Sequence, residues 1–250
     1  MSAITIVYAV LFYVASVILV GGLALRIRRY AKTPQPLKIP TTPAPTTRGG
    51  VALRMFREVV FFESLFKGNK WTWLFGWVFH FALLLVLLRH LRYFTEPIWA
   101  WVALLQPWGV YAGYAMVLGL IGLWGRRFFV DRVRYISAPS DHLMLALLIA
   151  IGGTGLAMKY IWRTDIVALK AFVLGLLYFD WQPLPADPLL LVHLTLVVVL
   201  MLIFPFSKLL HAPGLFFSPT RYQVDDPRER RYVAPWAEKL GRQASSNLSE

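Results

Sequence analysis

The stretch Trp71–Phe94, WTWLFGWVFHFALLLVLLRHLRYF, decides the fold. It contains no acidic residue, and its two arginines, Arg89 and Arg92, fall in its last six positions. A helix needs about 20 mostly apolar residues to cross roughly 30 Å of hydrocarbon. The run meets that length, yet it carries His80 and His90, which are costly at membrane depth. It therefore reads as a transmembrane helix with chemistry in it.

Four further runs have the same character: Ile4–Leu25, Trp108–Trp124, Asp141–Trp162 and Leu189–Leu210. The first lacks the basic n-region and the cleavage site of a signal peptide, so it reads as a retained anchor. Pro139, Ser140 and Asp141 mark the start of the fourth. The chain is 58% hydrophobic over 250 residues, with a mean hydropathy of +0.56, and the excess lies in these runs. The expected fold is all-α, an integral membrane five-helix bundle.

The formal charge of +13 would suggest nucleic acid on a soluble protein. Here the cations lie between apolar spans, which points to membrane orientation and excludes nucleic acid as a partner. Arg26–Lys70 carries ten Lys/Arg against two acids, Arg126–Ser140 four against one, and the segment after Leu210 six basic residues. The stretch Ile161–Pro188 has only Arg163 and Lys170 against Asp165, Asp180 and Asp187. The positive-inside rule then predicts an external N-terminus and a cytoplasmic C-terminus in a bacterial-type inner membrane.

Four parts follow: residues 1–25, the first transmembrane helix; 26–70, a cytoplasmic linker and surface helix; 71–211, a four-helix haem-binding membrane core; and 212–250, a cytoplasmic tail. Within the second part, Thr33–Arg48 is rich in Pro and Thr and reads as extended. Arg54–Phe66 reads as one amphipathic surface helix. The tail, with Pro213, Pro219, Pro227 and Pro235, reads as irregular: a docking strap or a solvated end.

There are no cysteines, which excludes disulfides, cysteine-bound iron–sulfur clusters and covalently attached c-type haem. Of the five histidines, His80 and His90 lie in the second span and His193 and His211 in or at the end of the fifth. A single histidine near a helix end is usually an interfacial or hydrogen-bonded side chain. Four on two antiparallel helices can hold two b-type haems by bis-histidine ligation. Pairing by depth joins His80 with His211 on the inner side and His90 with His193 on the outer side. Ten residues of helix rise about 15 Å and eighteen about 27 Å, a mismatch that tilt and a kink at Pro205 would reduce. Eighteen residues also make five whole turns, which puts both fifth-span histidines on one face. His142, beside Asp141, is expected to be a capping or surface residue.

With these spacings the chain resembles the gamma-subunit family of respiratory nitrate reductase, five-span dihaem b proteins that react with quinones. The resemblance runs from Ile4 to His211 and implies axial roles for His80, His90, His193 and His211. Within the family, the insert Arg26–Lys70 and the runs FREVVFFESLFKGNKWTW (Phe56–Trp73), FHFALLLVLLRHLRYF (Phe79–Phe94) and HAPGLFFSPTR (His211–Arg221) are most similar to the DsrM-type cytochrome b subunits of the DsrMKJOP complex of dissimilatory sulfite reduction.

The resemblance implies menaquinone or ubiquinone as a substrate, a cytoplasmic iron–sulfur subunit of heterodisulfide reductase type, and further membrane and periplasmic subunits. It puts the quinone near the outer haem, among Arg89, Arg92, Tyr93, Glu96, Lys159 and Tyr160, where the arginines are equally able to contact propionates or simply to snorkel to headgroups. No catalytic residue is expected; substrate chemistry belongs to a partner. The rival readings are a nitrate reductase-like or heterodisulfide reductase-like subunit, or a membrane anchor without redox function.

Overall fold

A computed structural model describes residues 1–35, 37–234 and 236–240; Pro235 and residues 241–250 of the expected tail lie outside the described residues. It consists of helices, with no strand among the described residues. In chain order these are α1 (Ala3–Lys32), α2 (Arg48–Phe61), α3 (Glu63–Gly68), α4 (Lys70–His90), α5 (Ala100–Phe129), α6 (Asp131–Tyr135), α7 (Pro139–Tyr160), α8 (Ile166–Tyr178), α9 (Pro188–Ile203), α10 (Ala212–Phe216) and α11 (Pro219–Tyr222). Short 3₁₀ turns at Leu91–Tyr93 and Phe204–Phe206 extend α4 and α9. Five of these elements are long and apolar enough to cross a membrane: Ala3–Lys32, Lys70–Tyr93, Ala100–Phe129, Pro139–Tyr160 and Pro188–Phe206. The expectation of an all-α protein with five spans is met.

Two compact units emerge, Met1–Gly22 with Phe62–Ser207, and Leu23–Phe61 with Lys208–Glu250. In the first, α4 packs on α5, α5 on α7 and α7 on α9. Lipid removes the hydrophobic drive between helices, so close van der Waals packing must hold them. Phe79 and Ala82 of α4 meet Ala112, Met116 and Leu120 of α5 in one buried cluster. Gly119 allows that approach: a Cβ there would lie 3.0 Å from the Phe75 carbonyl oxygen and 3.1 Å from the Phe79 nitrogen.

Polar ties fix the helix ends. Asn69 caps α4 by accepting the Thr72 N–H at 2.9 Å. Asp141 accepts the Ala138 N–H at 3.0 Å and pairs with Arg127 from the end of α5 at 3.3 Å. Asp165 caps α8 through the Val167 and Ala168 N–H groups, and Asp187 caps α9 through Leu189. The first half of α1 is latched by side chains: Tyr8 donates to the Leu191 carbonyl at 2.9 Å, Tyr13 to the Leu176 carbonyl at 2.8 Å, and the Thr5 hydroxyl accepts the Leu184 N–H at 3.0 Å.

Three expectations are corrected. The third span starts at Ala100, not Trp108, because α5 continues through Pro107. The fifth does not continue to Leu210: α9 ends at Ile203, the backbone tightens around Pro205, and Ser207 is extended at φ −96, ψ 169. Pro205 lacks the N–H that a helix would direct at the Met201 carbonyl, and just beyond it the Phe204 carbonyl accepts from the Ser207 N–H and hydroxyl. His211 is therefore off the helix that carries His193, and the five-turn and 27 Å arguments lapse. Finally, Arg54–Phe66 is not one helix. Phe62, left-handed at φ 53, ψ 46, separates α2 from α3.

In the second unit, α2 and α11 are joined by Arg221 and Glu58 at 2.8 Å. The Asp225 N–H donates to the Pro45 carbonyl at 2.9 Å, Gln223 Nε2 to the Leu37 carbonyl at 2.8 Å, and the Tyr222 hydroxyl bonds Gln35. The tail from Ala212 to Asp225 is thus built onto the 35–58 segment, not irregular throughout.

Candidate functional site

Each of the four paired histidines has its Nδ1 next to an oxygen acceptor. His80 Nδ1 lies 2.7 Å from the Gly76 carbonyl and His90 Nδ1 2.6 Å from the Val86 carbonyl, both one turn back on α4. His193 Nδ1 is 2.9 Å from the Thr154 hydroxyl of α7, and His211 Nδ1 is 3.3 Å from the Lys208 carbonyl. A carbonyl only accepts, so it holds the proton on Nδ1 and leaves Nε2 as the nitrogen with a lone pair for a metal. That is the tautomer an axial haem ligand requires.

His142 has the opposite arrangement. Trp124 Nε1–H donates to its Nδ1 at 3.1 Å, so the ring proton sits on Nε2. Of the two roles expected for His142, capping or surface, the cap of α7 falls to its neighbour, and His142 is half-buried against Phe128. Asp141 does the capping.

The structure brings His90 and His193 near enough to interact electrostatically. Their helices are not among the closely packed pairs of the described residues: α4 reaches α9 by way of α5 and α7. Gly155 lies against the second ring: a Cβ there would come within 3.4 Å of His193. His80 lies on α4 against Phe62 and Phe79, with ring centroids 5.1 Å and 4.8 Å away. His211 lies in the turn ahead of α10, in the second unit. Among the described residues no group of three His, Cys, Asp or Glu side chains is placed to hold a metal ion. An axial pair needs only two, because a porphyrin supplies the other four nitrogens.

Around His90 the expected neighbours separate into two sets. Arg89 and Arg92 both act on it electrostatically, and its ring is 5.9 Å from that of Tyr93, on which Arg92 also stacks at 5.5 Å. Tyr160 sits 5.8 Å from Tyr114 and within electrostatic reach of Arg89 and Lys159. Glu96 is ion-paired with Lys170 of α8.

Two functional candidates were missing from the sequence reading. Gln106 ties the arginines down: its carbonyl accepts from Arg89 at 3.0 Å, its Oε1 from Arg92 at 3.1 Å, and its Nε2 donates back to the Arg89 carbonyl at 3.3 Å. Thr154 is the other. Its place in the run Gly152, Gly153, Thr154, Gly155 was the available signal, since a polar residue among helix-contact glycines faces a neighbour.

A family model described as nitrate reductase gamma subunit matches residues 64–232, a span that includes all four paired histidines. The chain is 38% identical to the Hdr-like menaquinol oxidoreductase cytochrome b-like subunit of Archaeoglobus fulgidus, over 90% of this chain and 81% of that protein. The corresponding subunit of Archaeoglobus profundus is 32% identical, over 94% and 84%. The respiratory nitrate reductase 1 gamma chain of Escherichia coli is 30% identical, over 54% of this chain and 68% of its own length.

Proposed function

Because the chain belongs to the nitrate reductase gamma-subunit family, we propose that it is a dihaem b-type membrane cytochrome that passes electrons between the quinone pool and a cytoplasmic iron–sulfur partner. The observation that carries this is the shared setting of His80, His90, His193 and His211, each of which has its Nδ1 within 2.6–3.3 Å of an oxygen. His90 with His193 is the outer pair and His80 with His211 the inner one. The residues fit the group. Bound haem supplies a one-electron relay with no open coordination site, so substrate chemistry falls to a partner.

The chain's own residues do the rest. The oxygens at Nδ1 set ring orientation and raise imidazole basicity. Arg89 and Arg92, held by Gln106, offer fixed positive charge beside His90 for a propionate or a quinone anion. Tyr93, Tyr160 and Lys159 complete the proposed quinone neighbourhood, and Glu96 with Lys170 supplies a proton-exchanging pair at its edge. Membrane placement follows the basic loops: residues 1–25 enter from outside, 26–70 and 212–250 face the cytoplasm, and 71–211 carry the haems.

The names of the Archaeoglobus relatives support menaquinol over ubiquinol and a heterodisulfide reductase-like complex as the setting. The narrower reading, a role in dissimilatory sulfur metabolism in the manner of DsrM, rests on the Phe56–Trp73 and His211–Arg221 runs.

A dithionite-reduced minus oxidised spectrum of the purified chain, with haem quantified per polypeptide, tests the proposal. Two b-type haems per chain are expected. A chain that folds in membranes and carries none would sink it.

A further inference from the structure

We propose that Thr154 is a positioning residue that sets the reduction potential of the outer haem through His193; this rests on the dihaem reading above. Of the four paired histidines, three present Nδ1 to a backbone carbonyl within four residues of their own position. His193 instead presents Nδ1 to a side chain of another helix, the Thr154 hydroxyl of α7 at 2.9 Å.

The hydroxyl's direction is fixed by its surroundings. Thr154 Oγ1 lies 2.8 Å from the Ala150 carbonyl and 3.1 Å from the Ile151 carbonyl. These oxygens accept only, so they take the hydroxyl proton and turn the Oγ1 lone pairs outward. Nδ1 thus meets an acceptor in Thr154 Oγ1 and carries its proton, while Nε2 is the nitrogen that would bind iron. Gly155, one residue on, keeps the ring face clear.

The electronic consequence follows. An acceptor at Nδ1 draws the proton outward and makes the imidazole a stronger donor, which favours ferric over ferrous iron. A hydroxyl that already donates to a carbonyl is a better acceptor than a free one, because the chain of bonds is cooperative. Thr154→Val keeps the shape and removes the acceptor. The ferric form then loses more than the ferrous form, and the outer haem becomes easier to reduce. Outer-shell partners of metal-bound histidine are typically worth 10–100-fold. A tenfold change in a one-electron equilibrium is about 59 mV.

Redox titration of the membrane-embedded full chain, followed by optical and ferric low-spin EPR signals, is the test. In Thr154→Val one haem should shift upward by about 59 mV with an altered EPR signal, the other should stay in place, and Thr154→Ser should restore the wild-type value. Unchanged potentials for both haems in a fully loaded Thr154→Val chain would overturn the proposal. If the valine variant loses the outer haem, serine decides. Wild-type potential in Thr154→Ser supports the hydroxyl's role, and loss or displacement in serine too refutes it. A wild-type chain without haem would refute the dihaem reading instead, before Thr154 enters.

Discussion

The pairing of histidines is open to single substitutions. His90→Ala and His193→Ala should remove one and the same haem, because each centre needs both rings of its pair; His80→Ala and His211→Ala should remove the other. His142→Ala should leave both, since its Nε2 carries a proton and its Nδ1 is taken by Trp124. Low-temperature EPR of the four variants sorts them into two classes, and a shared loss in His80→Ala and His193→Ala would reverse the pairing. Gln106→Leu should retain both haems and slow their reduction by a soluble quinol. A hydrogen bond to a charged group is worth about 1.5–3 kcal/mol, so losing the one that holds Arg92 should cost about tenfold or more in rate. Stopped-flow haem reduction measures it. Much of this site was legible in the sequence, because ionisable rings at membrane depth are conspicuous. Gln106 and Thr154 were not, because small or neutral polar residues within an apolar helix look the same whether they face lipid, a backbone carbonyl or a ligand.

At the level of single elements, length and composition located all five spans, and their ends were less legible. The third span begins eight residues before the Trp108 read from composition, with Pro107 inside the helix, while Pro205 ends a helix that composition alone would extend to Leu210. The difference lies in what surrounds each proline: after Pro205 the Ser207 hydroxyl and N–H satisfy the carbonyl of Phe204. Helix α8 was hidden inside a loop, since its 13 residues are too few to span and its Lys170 was counted as loop charge. Where α4 and α5 meet, sterics decide. Gly119→Val should place methyl groups against the Phe75 and Phe79 backbone and cost roughly 1–3 kcal/mol by overpacking. Thermal unfolding in detergent, read by loss of the haem spectrum, should show a lowered midpoint; an unchanged midpoint would mean that the helices separate without penalty.

For the molecule as a whole, reporter fusions after Lys38 and at the C-terminus should read cytoplasmic and one after Asp180 external; a cytoplasmic reading at Asp180 would invert the proposed topology. Removing residues 213–250 should release the cytoplasmic partner, but it also removes Arg221, Gln223 and Asp225 from their bonds to Glu58, Leu37 and Pro45. A chain cut after Asp225 keeps these bonds, so its 48–57 segment should resist trypsin where the shorter chain is cleaved. Equal cleavage in both would show that the tail does not support α2. The latch on α1 has a consequence for how the protein is made. Its hydrogen bonds join positions 163 to 187 residues apart, from Tyr13 with Leu176 to Tyr8 with Thr195. The ribosome delivers α1 to the bilayer long before α8 and α9 exist, and helices in lipid insert first and associate afterwards. Although α1 enters the membrane before α8 and α9, it is therefore secured only after they follow, and until then Thr5, Tyr8 and Tyr13 wait without the partners they will finally bind.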